Sequence, residues 1–154
     1  MSMFDLRPPT PQQRQALIAT LDPEEQRVLL RRGTQPPFCG AFLDHEGSGL
    51  YACRFCGLPL FASSAKFNSH TGWPSFFQAI DPAHLEEITD RSHGMERVEI
   101  VCARCHSHLG HVFSDGPAPT GLRYCLNSVS LVFIATGQPL PNPLQRDGAE
   151  LAKV

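Results

Sequence analysis

The chain has 154 residues, 42% of them hydrophobic, with a formal net charge of −2 and a pI near 6.4, a size and balance that fit one globular unit with a single core. Its 13 Lys and Arg residues are scattered rather than clustered, which argues against nucleic acid as a partner. No stretch is long and apolar enough to span a bilayer, and Met1–Pro9 has no basic start followed by an apolar run, so the expectation is a soluble, cytoplasmic protein.

Thr10-Pro11 and Asp22-Pro23-Glu24-Glu25 each read as a helix start, with a capping residue and proline in the first turn; in the second, an acidic residue follows three positions after the cap. Two short helices follow, with apolar stripes at Leu17, Ile18 and Leu21 and at Val28, Leu29 and Leu30, and Gly33 ends the second. Residues 1–32 thus form a predicted helical lid. From Gly33 the pattern changes to short apolar runs broken by Gly47-Ser48-Gly49, Gly57-Leu58-Pro59 and Asp115-Gly116-Pro117, which predicts a β body over residues 33–135. Glu99–Cys102 and Arg123–Phe133 are the clearest predicted strands, and Asp81–Glu87 reads as a helical turn. Residues 136–154, with Gly137, Pro139, Pro141 and Pro143, read as an irregular, mobile tail.

Six cysteines in a chain read as cytoplasmic point away from structural disulfides and toward metal or redox chemistry. Cys53-Arg54-Phe55-Cys56 and Cys102-Ala103-Arg104-Cys105 have the spacing at which two thiolates of one tight turn meet the same tetrahedral ion, and two such turns fill a four-sulfur structural zinc site, one ion per chain. The long separation between them predicts knuckles from separate hairpins clamped by the ion. Three other readings compete: a thioredoxin-type redox pair, which lacks the flanking strand and helix; ordinary buried cysteines; and Cys102 and Cys105 joining His108 and His111 in a separate site.

Along an extended strand alternate side chains share a face, so Arg123, Cys125 and Asn127 lie together while Tyr124 and Leu126 turn to the core. A guanidinium and an amide beside a thiol suit a reactive cysteine, because nearby positive charge favours the thiolate; an inert, half-buried cysteine fits the same pattern equally well. His108 and His111, with Phe113 and Asp115, make a polar cluster able to hold a water or an oxygen-bearing ligand. The one tryptophan, Trp73, sits between Gly72 and Pro74, where a rigid loop would present an aromatic face.

Taken together, Gly33–Phe38, Lys66–Ser69, Gly72–Phe76, Ser92–Arg97, His108–Phe113, Asp115–Pro117 and Arg123–Ser128 closely resemble the B type of methionine sulfoxide reductase, and the resemblance runs from about Gly33 to Phe133. It implies a mainly β fold of two antiparallel sheets in a tent-like arrangement, with N-terminal helices and a structural zinc remote from the catalytic face. It also implies that Cys125 attacks the sulfur of methionine R-sulfoxide, in proteins or free, that Trp73 and Phe113 cradle the S-methyl group, and that His108, His111, Asn127 and Arg123 position water or donate protons, with Asp115 pairing Arg123. Cys125 would become a sulfenic acid, a second thiol would form a disulfide with it, and thioredoxin would restore the enzyme. Two positions depart from the common pattern: Thr71 stands where many relatives carry the resolving cysteine, and Gln35 where glutamate is usual. Cys39 resembles the resolving position of another branch. The competing function is a non-enzymatic zinc-knuckle module that binds another protein on the same scaffold.

Overall fold

A computed structural model describes residues 4–38 and 40–145. Two helices, α1 (Pro11–Ile18) and α2 (Pro23–Leu29), start as their caps require: Thr10 and Asp22 each accept from the backbone amide three residues on, and the side chains of Gln13 and Glu25 reach back to the cap amides. Leu17, Leu21, Val28 and Leu29 turn inward and are buried.

Nine strands follow among the described residues. β1 (Gly49–Cys53), β2 (Pro59–Ala62) and β9 (Leu131–Ala135) form a three-stranded sheet in the order β2-β1-β9. β3 (Lys66–Phe67), β4 (Ser75–Phe76), β5 (Leu85–Asp90), β6 (Arg97–Cys102), β7 (His108–Phe113) and β8 (Arg123–Leu126) form a six-stranded one in the order β3-β4-β8-β7-β6-β5. All pairings are antiparallel, as the predicted two-sheet β architecture requires. Aromatic rings join the sheets: Phe61 of β2 stacks on Phe76 of β4 with centroids 4.6 Å apart, Tyr51 of β1 meets Phe76 at 5.1 Å, and Tyr124 of β8 meets Phe61 at 5.6 Å.

Three predicted elements differ. The run Arg123–Phe133 is not one strand: β8 ends at Leu126, Ser128–Ser130 make a 3-10 turn, and β9 belongs to the other sheet. The break falls at Asn127, whose side chain is taken by backbone, Oδ1 accepting from the Gln35 amide at 2.8 Å and Nδ2 donating to Leu109 O at 3.2 Å. The helical turn predicted for Asp81–Glu87 is confined to Pro82–His84, and Leu85 opens β5, an edge strand whose middle residues are exposed and so carry no alternating apolar signal. In the tail, Leu144 is 4% exposed and packs into the main core; residues 146–154 lie outside the described residues. No helix among the described residues is long and apolar enough to cross a membrane.

Candidate active site

The two cysteine knuckles come from separate hairpins, one in each sheet. Cys53 ends β1 and Cys56 lies in the turn to β2; Cys102 ends β6 and Cys105 lies in the turn to β7. Their backbones repeat one another. Gly57 N–H donates to Cys53 O and His106 N–H to Cys102 O, both at 2.8 Å, and both donors have positive φ, +81° at Gly57 and +62° at His106. All four sulfurs lie within 4.8 Å of one another, with Cys53–Cys105 and Cys56–Cys102 at 3.6 Å. Tetrahedral zinc with Zn–S of about 2.3 Å places its sulfurs about 3.8 Å apart, so the donor set fits that ion. Neighbouring cysteine sulfurs, then burial, push the Cys53 thiol up, burial pushes Cys102 up, and hydrogen bonds from neighbouring thiols, with Arg104 behind them, hold Cys56 down. Buried Arg104 donates to Cys56 Sγ at 3.5 Å and to Cys56 O at 2.8 Å. His108 and His111 are not part of this cluster, which sets aside the Cys102–Cys105–His108–His111 alternative.

Across the six-stranded sheet, register places Ile88, Glu99, His111, Cys125 and Ser75 opposite one another in a single row. The neighbouring row pairs Asp90 with Arg97 and Phe113 with Arg123. Within β8 the expected alternation is present, Tyr124 and Leu126 being buried and Arg123 and Cys125 half-buried. Above Cys125 lies a cavity of about 270 Å³ whose wall includes Trp73, His111, Phe113, Arg123, Asn127 and Thr71.

Each wall residue is held by a nameable contact. Trp73 Nε1 donates to Gln35 O at 2.7 Å, and its loop is tied to β8 where Leu126 N–H donates to Pro74 O at 3.0 Å. Arg123 lies over the Phe113 ring, 4.3 Å from its centroid, and donates to Asp115 at 2.9 and 3.2 Å, which holds the Asp115 carboxyl below the usual carboxylate range. Asn127, already bonded to backbone at both ends of its amide, keeps one amide hydrogen for the cavity. Thr71 Oγ1 is 3.7 Å from Cys125 Sγ.

His111 gives Nε2 to Asp90 Oδ2 at 2.8 Å, and the same carboxylate accepts from Arg97 at 3.3 Å and, through Oδ1, from the Ser92 amide at 2.9 Å. His108 is almost fully buried and does not line the cavity over Cys125; it borders an adjoining one. Cys39 lies outside the described residues. Sequence reasoning missed Gln35 as a support of Trp73 and Asn127, a contact made by the loop after α2, and missed Asp90 and Glu99 as partners of the histidines, a contact made by strand register; no local pattern records either.

Similarity to known proteins bears on this arrangement. A family profile described as the SelR domain matches residues 21–135. The chain is 64% identical over 143 residues to the peptide methionine sulfoxide reductase MsrB of Xylella fastidiosa strain 9a5c, covering 93% of this chain and 92% of that protein. It is 57% identical over 143 residues to the protein of the same name from Caulobacter vibrioides, covering 93% and 90%, and 57% identical over 115 residues to that of Thiobacillus denitrificans, covering 75% and 87%.

The Asp90 contacts have a measurable consequence. Hydrogen bonds from His111, then from Ser92, hold its carboxyl well below the usual range. A depressed folded value means that the stabilisation is complete above the unfolded pKa of about 3.9 and is lost as pH falls below it. Urea denaturation between pH 7 and pH 3 should therefore show Asp90→Asn less stable than the parent at neutral pH, with the gap beginning to narrow below about pH 4; parallel curves over the whole range would contradict the assignment.

Proposed function

This chain belongs to the MsrB family of SelR-domain proteins, and we propose that it is a thiol-dependent reductase of methionine R-sulfoxide, free or in proteins. The observation that carries the reading is Cys125, half-buried in a cavity whose wall combines the rings of Trp73 and Phe113 with the hydrogen-bonding groups of His111, Arg123 and Asn127. An apolar wall beside hydrogen-bond donors matches a group with a methyl on one side of sulfur and an oxygen on the other. Such a cavity accepts one handedness at sulfur.

In this reading Cys125 sulfur bonds to the sulfoxide sulfur while the oxygen, protonated by the polar wall, leaves as water. A water then attacks Cys125 sulfur and breaks the S–S bond, so methionine departs reduced and Cys125 is left as sulfenic acid. A second thiol then displaces the hydroxyl as water and forms a disulfide, and an external dithiol reduces it. A resolving thiol at Thr71 would stand beside Cys125, but a hydroxyl forms no disulfide, so the second sulfur must come from elsewhere. We assign it to Cys39. The flanking Phe38 amide donates to Gly72 O at 2.7 Å, which keeps that segment next to the loop carrying Thr71. Thioredoxin is the proposed dithiol, its potential being low enough for such a disulfide, and a cytoplasmic site follows from the need for that reductant. The four-cysteine cluster is proposed to hold structural Zn²⁺, one per chain, closed to substrate.

With dithiothreitol as reductant, the R epimer of methionine sulfoxide should be consumed and the S epimer left, and Cys125→Ser should abolish turnover while keeping the fold, since a hydroxyl is a far weaker nucleophile at neutral pH. Equal turnover of both epimers would sink the reading. Metal analysis should find about one zinc per chain, and Cys105→Ser should lose the ion and lower the unfolding midpoint; a folded, metal-free preparation would refute the zinc assignment. Cys39→Ser, given excess substrate and no reductant, should release about one methionine per chain, retain sulfenic acid on Cys125 and lose recycling by thioredoxin. Parental turnover with thioredoxin in that variant would remove Cys39 from the cycle.

A further inference from the structure

His108 and His111 are three positions apart on β7, a spacing that would put them on opposite faces of an unbroken strand. The pairing with β6 slips between Val101↔His108 and Ile100↔Gly110, so Leu109 is an extra residue on β7, and a bulge of this kind re-aims a side chain. The two rings end on one side, with centroids 5.6 Å apart. On the neighbouring strand Glu99, 1% exposed and opposite His111, brings Oε2 to 2.7 Å from His108 Nδ1. Both oxygens of Glu99 also accept from Arg32, Oε2 from Nε at 3.0 Å and Oε1 from the terminal nitrogen. His108 Nε2, by contrast, is buried and has no partner among the described residues. His108 borders a cavity of about 560 Å³ that shares Thr34, Arg97 and His111 with the one over Cys125.

We propose that Glu99 is a positioning residue acting through His108: it holds the imidazole as the Nδ1–H tautomer, so that Nε2 is the nitrogen offered to the adjoining cavities, and Arg32, from the segment after α2, holds Glu99. A carboxylate only accepts hydrogen bonds, so the short contact requires the hydrogen on Nδ1. A neutral imidazole so oriented presents a lone pair at Nε2; burial, only partly opposed by Glu99, favours that neutral form. The bare Nε2 accepts the O–H of a water, or of the hydroxyl forming at the sulfoxide oxygen, and orients its proton. The opposite tautomer would present N–H and reverse that polarity. No bond of Glu99 or His108 is broken in the reaction. A buried carboxylate without a cation is costly, which gives Arg32 its part.

The catalytic consequence rests on the reductase reading above; the tautomer does not. The test is a long-range ¹H–¹⁵N correlation on histidine-labelled protein, with His108 identified by its loss in His108→Gln, alongside kcat and KM for methionine R-sulfoxide. Three variants separate reach from charge. Glu99→Gln keeps an acceptor at the same reach without the charge, Glu99→Asp keeps the charge and the Arg32 pair but withdraws the oxygen from Nδ1, and Glu99→Leu removes both. In the parent His108 should be Nδ1–H. Leu and Asp should give Nε2–H or mixed tautomers and lower kcat about tenfold or more with KM little changed, as loss of an orienting partner does, and Gln should recover much of kcat. Should the Leu variant not fold, the Asp and Gln pair decides alone. Asp equal to or better than Gln, an unchanged tautomer in Asp, or a shift in KM with kcat kept overturns the proposal. A parent inactive on either epimer would overturn the reductase reading instead, while the tautomer of His108 in Asp and Gln still decides the Glu99 contact.

Discussion

Four buried sulfurs from two tight turns meet where the small sheet joins the large one, and the strand that carries His111 to Cys125 starts from that junction. The β6–β7 hairpin begins at Cys102 and Cys105, and six residues beyond Cys105 it delivers His111 to the row containing Cys125. A shift of the knuckle would move β7 past β8 and take the imidazoles with it. Arg104 secures the junction from outside, its guanidinium reaching the Cys56 sulfur and carbonyl and, at 3.1 Å, the backbone oxygen of Asp5. The N-terminal segment is thereby tied to the sulfur cluster as well as to the core.

A second set of ties runs from the segment after α2 to the opposite side of the molecule. Arg32 meets Glu99; the Gln35 amide donates to Asn127, the Gln35 carbonyl accepts from Trp73, and Gln35 Oε1 accepts from the Val129 amide at 3.3 Å. One short stretch of chain, with Arg32 at positive φ and Gln35 buried, thus supports a histidine partner, an aromatic wall and an amide at once. The helices that precede it are therefore not an ornament on the β body, since their end point sets where this stretch begins.

Features encoded locally were legible in the sequence. The knuckles follow from Cys-x-x-Cys spacing, the helices from their caps, and the Tyr124 and Leu126 burial from strand alternation. Contacts made by register were not. Glu99 and Asp90 are ordinary acidic residues in a strand until β5, β6 and β7 align, and β5 itself hides because its exposed middle lacks the alternation that marks a half-buried strand. The division of Arg123–Phe133 into strands of two sheets was hidden for a related reason: Leu131–Ala135 is as apolar as a continuation of β8 would be, and the chain is turned there by long-range bonds such as those of the Asn127 side chain.

The extra residue at Leu109 sets the phase of β7. Strand side chains alternate strictly, so a one-residue deletion beyond the bulge, between Gly110 and Phe113, would slide the strand or invert every residue after it, whereas loss of Leu109 itself would leave His108 and His111 two apart and on one face. Most of this chain's surface loops can lengthen or shorten at small cost. In β7 a deletion past the bulge would rewrite which side chains face the cavity without changing the identity of any of them, so the bulge at Leu109 is the place in this strand where length can change with the faces kept.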